Sequence, residues 1–159
     1  NIVKAKIAHY FLNDYFLKKL ANTVDYYSLN YYRYTKFGDN TVYPTSDMGW
    51  KLNPEQIYNA LMYLSKFNKP IVISEAGIAD SADTQRADYI KKQVSGMWRA
   101  IQDGADVRGF MYWSLLDNYE WNLGIEKRFG LVEVDFKTQK RTIRPSAYIY
   151  KKICEDNAV

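Results

Sequence analysis

Apolar residues recur along this chain in two patterns that alternate with each other. Spacings of three and four residues predict amphipathic helices, and short uninterrupted apolar runs predict strands buried on both faces. The predicted helices cover about residues 3–20, 54–69, 84–103 and the segment from 145 onward. The predicted strands cover about 24–32, 70–75 and 107–114, and a hairpin is predicted around 129–136. This order predicts a parallel sheet with right-handed crossovers.

Three parallel strands leave two architectures open. A doubly wound sheet of three strands would be small, and no glycine-rich phosphate loop follows any of the strands. The other architecture is part of a (β/α)8 barrel, which takes about 250 residues when complete. The strands end at Tyr32, Glu75 and Trp113, and barrels place their chemistry at such strand ends. We therefore expect a piece of a barrel.

Composition narrows the possible functions. The chain has 159 residues with one histidine, His9, and one cysteine, Cys154, so we expect no disulfide, no metal site and no cofactor. Lysines and arginines are spread along the chain among acidic residues and give a net charge of +4. Because binding of nucleic acid needs clustered positive charge, we expect no nucleic-acid partner. No apolar run reaches the roughly 20 residues of a membrane helix, and no export signal is visible, so we expect a cytoplasmic protein. The first residue, Asn1, opens directly into a predicted helix, as a cut end would.

Polar and aromatic residues at the strand ends are candidates for chemistry. Glu75 follows four apolar residues at the tip of the second strand, and Asn30 and Tyr32 lie at the tip of the first. Residues 112–121 add two tryptophans and a glutamate just past the third strand. Indole rings stack on sugar C–H surfaces, and carboxylates accept hydrogen bonds from vicinal hydroxyls. A solvated loop glutamate and ordinary core tryptophans remain the alternatives from pattern alone.

Together these segments resemble the C-terminal part of family 1 glycoside hydrolases, the retaining β-glucosidases and β-galactosidases. The nucleophile motif of that family, usually Ile/Val-Thr-Glu-Asn-Gly, matches residues 73–77, and its glycone-binding motif is nearly intact at 113–121. The similarity runs from about Tyr15 to Cys154 and includes residues 30–32, 48–50, 128–131 and 144–147. It implies that residues 1–159 are the C-terminal segment of one (β/α)8 TIM-barrel catalytic domain, with strands six to eight and their flanking helices.

The resemblance also implies roles for individual residues in hydrolysis of terminal β-D-glycosides with retention of configuration. Glu75 matches the nucleophile, and Tyr32 matches the tyrosine that orients it. The residues that match substrate-binding positions are Asn30 near the 2-hydroxyl, Trp113 under the glycone, Glu120 and Trp121 at the outer hydroxyls, Phe129 in the pocket wall, and Trp50 on the aglycone side.

One catalytic group of the family is missing from the chain. Its acid/base lies in an Asn-Glu-Pro motif, which does not occur here; Asn53-Pro54-Glu55 has the reverse order and marks a helix start. A three-strand piece of a barrel also leaves two sheet edges unpaired. We therefore expect the isolated chain to be inactive and to need the N-terminal portion of the same barrel as its partner.

Three residues depart from the usual family pattern. Ala76 replaces the asparagine after the nucleophile, Ser74 replaces a threonine, and Ser28 replaces a common glycine. Since Ala76 lacks a side-chain amide, the hypothesis is that turnover is reduced but not abolished.

A second hypothesis belongs to a different class of protein. The 15 tyrosines, 7 phenylalanines and 4 tryptophans could form a non-catalytic fragment that binds a sugar or a planar ligand such as haem, whose iron tyrosine can ligate. A Soret band would support this alternative, and loss of hydrolysis on Glu75→Gln would support the enzyme.

Overall fold

A three-stranded parallel sheet lies at the centre of the structure, a computed structural model that describes residues 2–33, 38 and 40–159. Its strands are β1 (Tyr27–Tyr31), β2 (Ile71–Ala76) and β3 (Val107–Tyr112), side by side in chain order. β1 pairs in parallel with β2, and β2 pairs in parallel with β3. The three buried runs of the sequence therefore form parallel strands, as predicted.

Helices precede, connect and follow these strands. The helices are α1 (Ile2–His9), α2 (Tyr15–Leu20), α3 (Ile57–Ser65), α4 (Arg86–Gln102) and α5 (Pro145–Asp156). A π-helical turn, Tyr10–Asp14, joins α1 to α2, so the predicted first helix is a single helical run, and Pro54–Gln56 forms a 3-10 turn before α3. Gly104 follows α4 with a φ of 95°, a left-handed conformation that glycine adopts without strain.

The predicted hairpin lies further along the chain than expected. β4 (Val132–Val134) pairs antiparallel with β5 (Arg141–Ile143), whereas the prediction placed the hairpin at about 129–136. The chain reverses after Asp135, whose carboxylate accepts hydrogen bonds from the backbone N–H groups of Lys137 and Thr138. The turn between β4 and β5 contains more residues than the apolar pattern predicted. Phe129 lies before the hairpin, and its side chain is buried.

The two faces of the parallel sheet differ sharply in burial. On one side Tyr31, Ile71 and Ile73 are at most 3% exposed and form one core cluster with Ile57 and Leu61 of α3. The residues between them point the opposite way, and we call this side the open face: Ser28, Asn30, Val72, Ser74, Gly109 and Met111. Parallel sheets normally have both faces covered, so this sheet has half of its usual packing.

The first helical run has little packing of its own. None of the residues of α1, the π-turn or α2 is buried, and apolar side chains such as Ile2, Phe11 and Leu12 are more than 60% exposed. A hydrogen bond from the Tyr27 hydroxyl to the Leu17 carbonyl oxygen, 3.0 Å, ties the run to β1. Within the described part of the chain, no helix combines the length and the hydropathy required to cross a bilayer.

Candidate active site

The ends of the parallel strands bring two of the predicted residues into direct contact. Glu75 lies at the tip of β2, where its Cα partner on β1 is Asn30. Tyr32 follows β1, and its hydroxyl donates a hydrogen bond to Glu75 Oε2 at 2.7 Å. Because both strands run in the same direction, two residues 43 positions apart in the sequence meet at one edge of the sheet.

The surroundings keep the Tyr32 hydroxyl protonated. Burial, the hydrogen bond to Glu75 and the charge of that carboxylate all raise the pKa of Tyr32 far above its ordinary value of 10.0. The phenol therefore stays a donor to Glu75 throughout the pH range in which a protein is handled. A fixed donor restricts rotation of the Glu75 carboxylate.

A second carboxylate lies within electrostatic reach of Glu75. Burial, and then the negative charge of Glu75, raise the pKa of Glu120 above its ordinary value of 4.5. Two partly desolvated carboxylates near one another indicate a site that favours hydroxyl or cationic groups between them.

Aromatic rings surround the Tyr32–Glu75 pair. The ring of Phe129, which is 2% exposed, meets the ring of Tyr32 edge to face with centroids 6.0 Å apart. The indole of Trp50 meets Tyr32 from another side at 5.8 Å, and the Arg33 guanidinium lies 5.4 Å above that indole. The structure thus brings Trp50 and Phe129 into one cluster with the predicted catalytic pair.

The tryptophans after β3 are placed less uniformly. Trp113 is 36% exposed, and its backbone N–H donates to the Ala76 carbonyl oxygen at 3.0 Å. A Cβ at Gly77 would lie 2.0 Å from the Trp113 carbonyl oxygen, so only glycine permits the two strand ends to approach this closely. Trp121, in the 3-10 turn Trp121–Leu123, is 80% exposed. The structure therefore places the backbone of Trp113 against the end of β2 and leaves the side chain of Trp121 largely in solvent.

Asn30 lies on the open face beside the end of β1. Its side-chain carbonyl oxygen accepts a hydrogen bond of 2.6 Å from the hydroxyl of Ser74, the residue before Glu75. Ala76 points the other way and is fully buried in the core. The missing amide at position 76 therefore belongs to the helix-covered side of the sheet, and an asparagine there would enter the core.

A buried ion pair that the sequence analysis did not identify holds the wall of the site. The side chain of Asp117 is fully buried and accepts hydrogen bonds from both terminal nitrogens of Arg144, at 3.0 and 3.1 Å. It also accepts a hydrogen bond of 2.8 Å from the N–H of Gly130, the neighbour of Phe129. Both residues lie inside segments that match the family motifs, but no spacing rule pairs them across 27 positions.

Two polar residues of α4 were also missed, and the first of them supports the end of β1. The hydroxyl of Tyr89 donates to the backbone carbonyl oxygen of Tyr32 at 2.9 Å. Arg86, fully buried at the start of α4, donates to the carbonyl oxygens of Asp80 and Arg128 and pairs with Asp83. The helical period of α4 predicts that these positions are buried but does not predict their polar partners.

Within the described residues, no group of three or more histidine, cysteine, aspartate or glutamate side chains is arranged to hold a metal ion. The arrangement is a carboxylate held by a phenol, with a second carboxylate and several aromatic rings, at the carboxyl end of a parallel sheet. In α/β proteins, this edge is where ligands bind.

Comparison with known proteins assigns this α/β chain to a family. The sequence profile described as "Glycosyl hydrolase family 1" matches residues 1–159. A beta-galactosidase of Saccharolobus solfataricus is 46% identical over 117 residues, and a 1,4-beta-D-glucan glucohydrolase of Thermotoga neapolitana is 36% identical over 165 residues. These matches cover 73% and 90% of this chain, but only 24% and 37% of the relatives.

Solved structures agree with the sequence comparison. A beta-glucosidase mutant derived from a hyperthermophilic tetrameric structure has a TM-score of 0.87 at 35% identity, covering 98% of this chain and 38% of that chain. The beta-glucosidase of Thermotoga maritima in complex with glucoimidazole has a TM-score of 0.81 at 34% identity, covering 90% and 37%. This chain belongs to glycosyl hydrolase family 1, and its sheet and helices are a portion of the TIM barrel of that family.

Proposed function

We propose that this chain is the C-terminal segment of a single TIM-barrel domain that hydrolyses terminal β-D-glycosides with retention of configuration. In this proposal β1, β2 and β3 are strands six, seven and eight of the barrel. The observation that supports it best is the hydrogen bond of 2.7 Å between the Tyr32 hydroxyl and Glu75 Oε2 at the carboxyl edge of the sheet. An oriented carboxylate at that edge is what a glycosidase nucleophile requires.

Glu75 acts as the nucleophile. One oxygen of its carboxylate attacks the anomeric carbon while an acid outside this chain protonates the leaving-group oxygen, which gives a glycosyl ester and releases the aglycone alcohol. The same external group, now a base, then takes a proton from water, and the water oxygen attacks the anomeric carbon. Glu75 leaves as a carboxylate, and Tyr32 keeps it in the orientation for the next cycle.

The remaining predicted residues bind the substrate in this proposal. Trp113 provides a platform for the glycone ring, Phe129 lines the pocket, and Trp50 contacts the aglycone side. Glu120 and Trp121 hold the outer hydroxyls, and Asn30 contacts the 2-hydroxyl region. Relatives described as β-galactosidases and β-glucosidases indicate glucose- or galactose-type glycones as substrates to test first.

The proposed partner is the N-terminal portion of the barrel. The open face exposes Met111 by 56%, and the exposed apolar residues of the first helical run lie beside the unpaired edge of β1. Covering these surfaces would bury apolar area, which favours association by about 25 cal/mol per Å². The 159-residue chain also lacks the Asn-Glu-Pro motif, so the acid/base must come from that portion.

A chimaera tests the proposal. This chain replaces the matching C-terminal segment of the Thermotoga neapolitana glucohydrolase, and hydrolysis of a chromogenic β-glucoside is measured. We expect turnover in the chimaera, a loss of at least about a thousandfold for Glu75→Gln, and little change for the matched control Glu55→Gln, whose side chain is half exposed. A 2-fluoroglycoside inactivator should label Glu75, as detected by peptide mass spectrometry.

Two results would contradict the proposal. Unchanged turnover in the Glu75→Gln chimaera would remove Glu75 from the reaction. Turnover by the isolated 159-residue chain would show that the N-terminal portion is not needed.

A further inference from the structure

Two hydroxyl groups on the open face form a chain of hydrogen bonds that ends at Asn30. The Oγ atoms of Ser28 and Ser74 are 2.5 Å apart, although the two residues are 46 positions apart in the sequence. Ser74 Oγ in turn lies 2.6 Å from Asn30 Oδ1. Ser28 and Asn30 lie on β1 two residues apart, with Ser74 facing both of them from β2.

The number of protons sets the direction of this chain. A serine hydroxyl has one proton, and the amide oxygen of Asn30 can only accept. Ser74 must therefore donate to Asn30, so the proton between the two serines comes from Ser28. The order Ser28 to Ser74 to Asn30 uses both hydroxyl protons and leaves the two amide N–H donors of Asn30 unused by either serine.

Both serines occur where this sequence departs from the usual family pattern, which has glycine at position 28 and threonine at position 74. The structure shows that the two departures touch each other. Glycine with threonine and serine with serine contain nearly the same number of side-chain heavy atoms. The volume of the side chain added on β1 is therefore partly offset by the methyl group removed from β2.

We propose that Ser28 and Ser74 are a coupled pair of positioning residues that fix the amide of Asn30, with its oxygen held by Ser74 and its NH2 group presented to the 2-hydroxyl of the glycone. This inference rests on the proposed function and extends it, since neither serine touches substrate. Water competes for these hydroxyls while the face is open, and covering the face strengthens the chain of hydrogen bonds.

Kinetics of the chimaera with two substrates test the positioning role. For 4-nitrophenyl β-glucoside, Ser74→Ala should lower kcat/KM about tenfold and Ser28→Ala about threefold, because only Ser74 bonds Asn30 directly. For the 2-deoxy analogue, neither substitution should change kcat/KM by more than about twofold, since the hydroxyl that Asn30 contacts is absent. Equal losses on both substrates would overturn the proposal, because a merely structural role affects both alike.

A double-mutant cycle tests the coupling. In the Ser28→Ala/Ser74→Ala variant, kcat/KM for the glucoside should be no lower than in Ser74→Ala alone. The double replacement Ser28→Gly/Ser74→Thr restores the usual family pair and should stay within about twofold of the parent. Losses that multiply in the first variant, or a large loss in the second, would show that the two positions act independently.

The free energy of unfolding of the same four chimaera variants is measured in urea. This measurement does not depend on enzymatic activity. Absence of Glu75-dependent turnover in the parent chimaera would overturn the proposed function and the positioning role with it. Effects of the two alanine substitutions that add independently in unfolding would overturn the hydroxyl pair even in an active chimaera. The two failures are therefore distinguishable.

Discussion

The two faces of the parallel sheet are built from the same strands but differ in how far their side chains are buried. On one side, Ile71 and Ile73 are fully buried beneath Ile57 and Leu61. On the other side, Met111 is 56% exposed and Asn30 also faces solvent. The covered face packs against α3 of this chain, whereas Ser28, Asn30 and Met111 of the open face are exposed, unlike the usual parallel sheet with both faces covered.

The residues that stabilise the fold and the residues of the candidate site lie in different parts of the sheet. The covered face holds the hydrophobic core. The candidate active site lies at the carboxyl ends of the strands, where Tyr32 and Glu75 meet. The fold of this chain therefore holds the Glu75 carboxylate in place at a strand end while one face of the sheet lies open to solvent.

The largest effect is expected from placing a charge on the open face. Val72→Asp should leave the fold of the isolated chain intact because the carboxylate stays hydrated. In the chimaera the same carboxylate would be buried without a partner, at a cost of about 3 kcal/mol or more. We expect its urea midpoint and its turnover to collapse. Val42→Asp, at a position 93% exposed, is the matched control; a stable Val72→Asp chimaera would show that the face stays open.

The next largest effect is a difference in stability between substitutions of neighbouring residues on opposite faces of β2. Ile73→Ala removes a fully buried side chain and should destabilise the isolated chain by about 2–5 kcal/mol. Val72→Ala, on the open face, should cost less than about 1 kcal/mol in the isolated chain and more in the chimaera. Hydrogen exchange of the β2 amides measures both. Equal protection losses in the two isolated variants would contradict the difference between the faces.

A smaller effect is expected at the strand ends. Tyr32→Phe removes the hydrogen bond to Glu75 and should lower kcat of the chimaera about ten- to a hundredfold, the range for a hydrogen bond to a charged group. Tyr148→Phe, where the phenol is 58% exposed, should leave kcat unchanged. If Tyr32→Phe matched its control, the hydrogen bond would have no part in orienting the nucleophile.

The smallest effect is a pH dependence at Glu120. Its raised pKa means that folding favours the protonated form, so its stabilising contribution is present below the ordinary pKa of 4.5 and is lost as pH rises through the folded value. Glu120→Gln should therefore gain stability relative to the parent between acidic and neutral pH. Glu75→Gln should lower the pKa of Glu120 in a carbon-13 NMR titration, and an unchanged pKa would show that the two carboxylates do not interact.

Prediction from sequence was most accurate where a local run of apolar residues ends directly at a polar residue of the site. The apolar run that ends in Glu75 predicted both a buried strand and an edge carboxylate, and both are present. The hairpin was misplaced because the hydrogen bonds of the Asp135 turn leave no mark on the spacing of apolar residues. The buried pair of Asp117 and Arg144 was missed for a different reason: a charged residue in a sequence gives no sign that folding will bury it.

Periodicity and motif chemistry, both written into the order of residues, determined the element order, the parallel sheet and the match to one family. Tertiary structure decided which side chains meet: Tyr32 with Glu75, Asp117 with Arg144, and Ser28 with Ser74. It also decided that one face of the sheet stays open. The physical reason is distance: periodicity depends on neighbours within about one or two helical turns, whereas each of these contacts joins residues at least 27 positions apart.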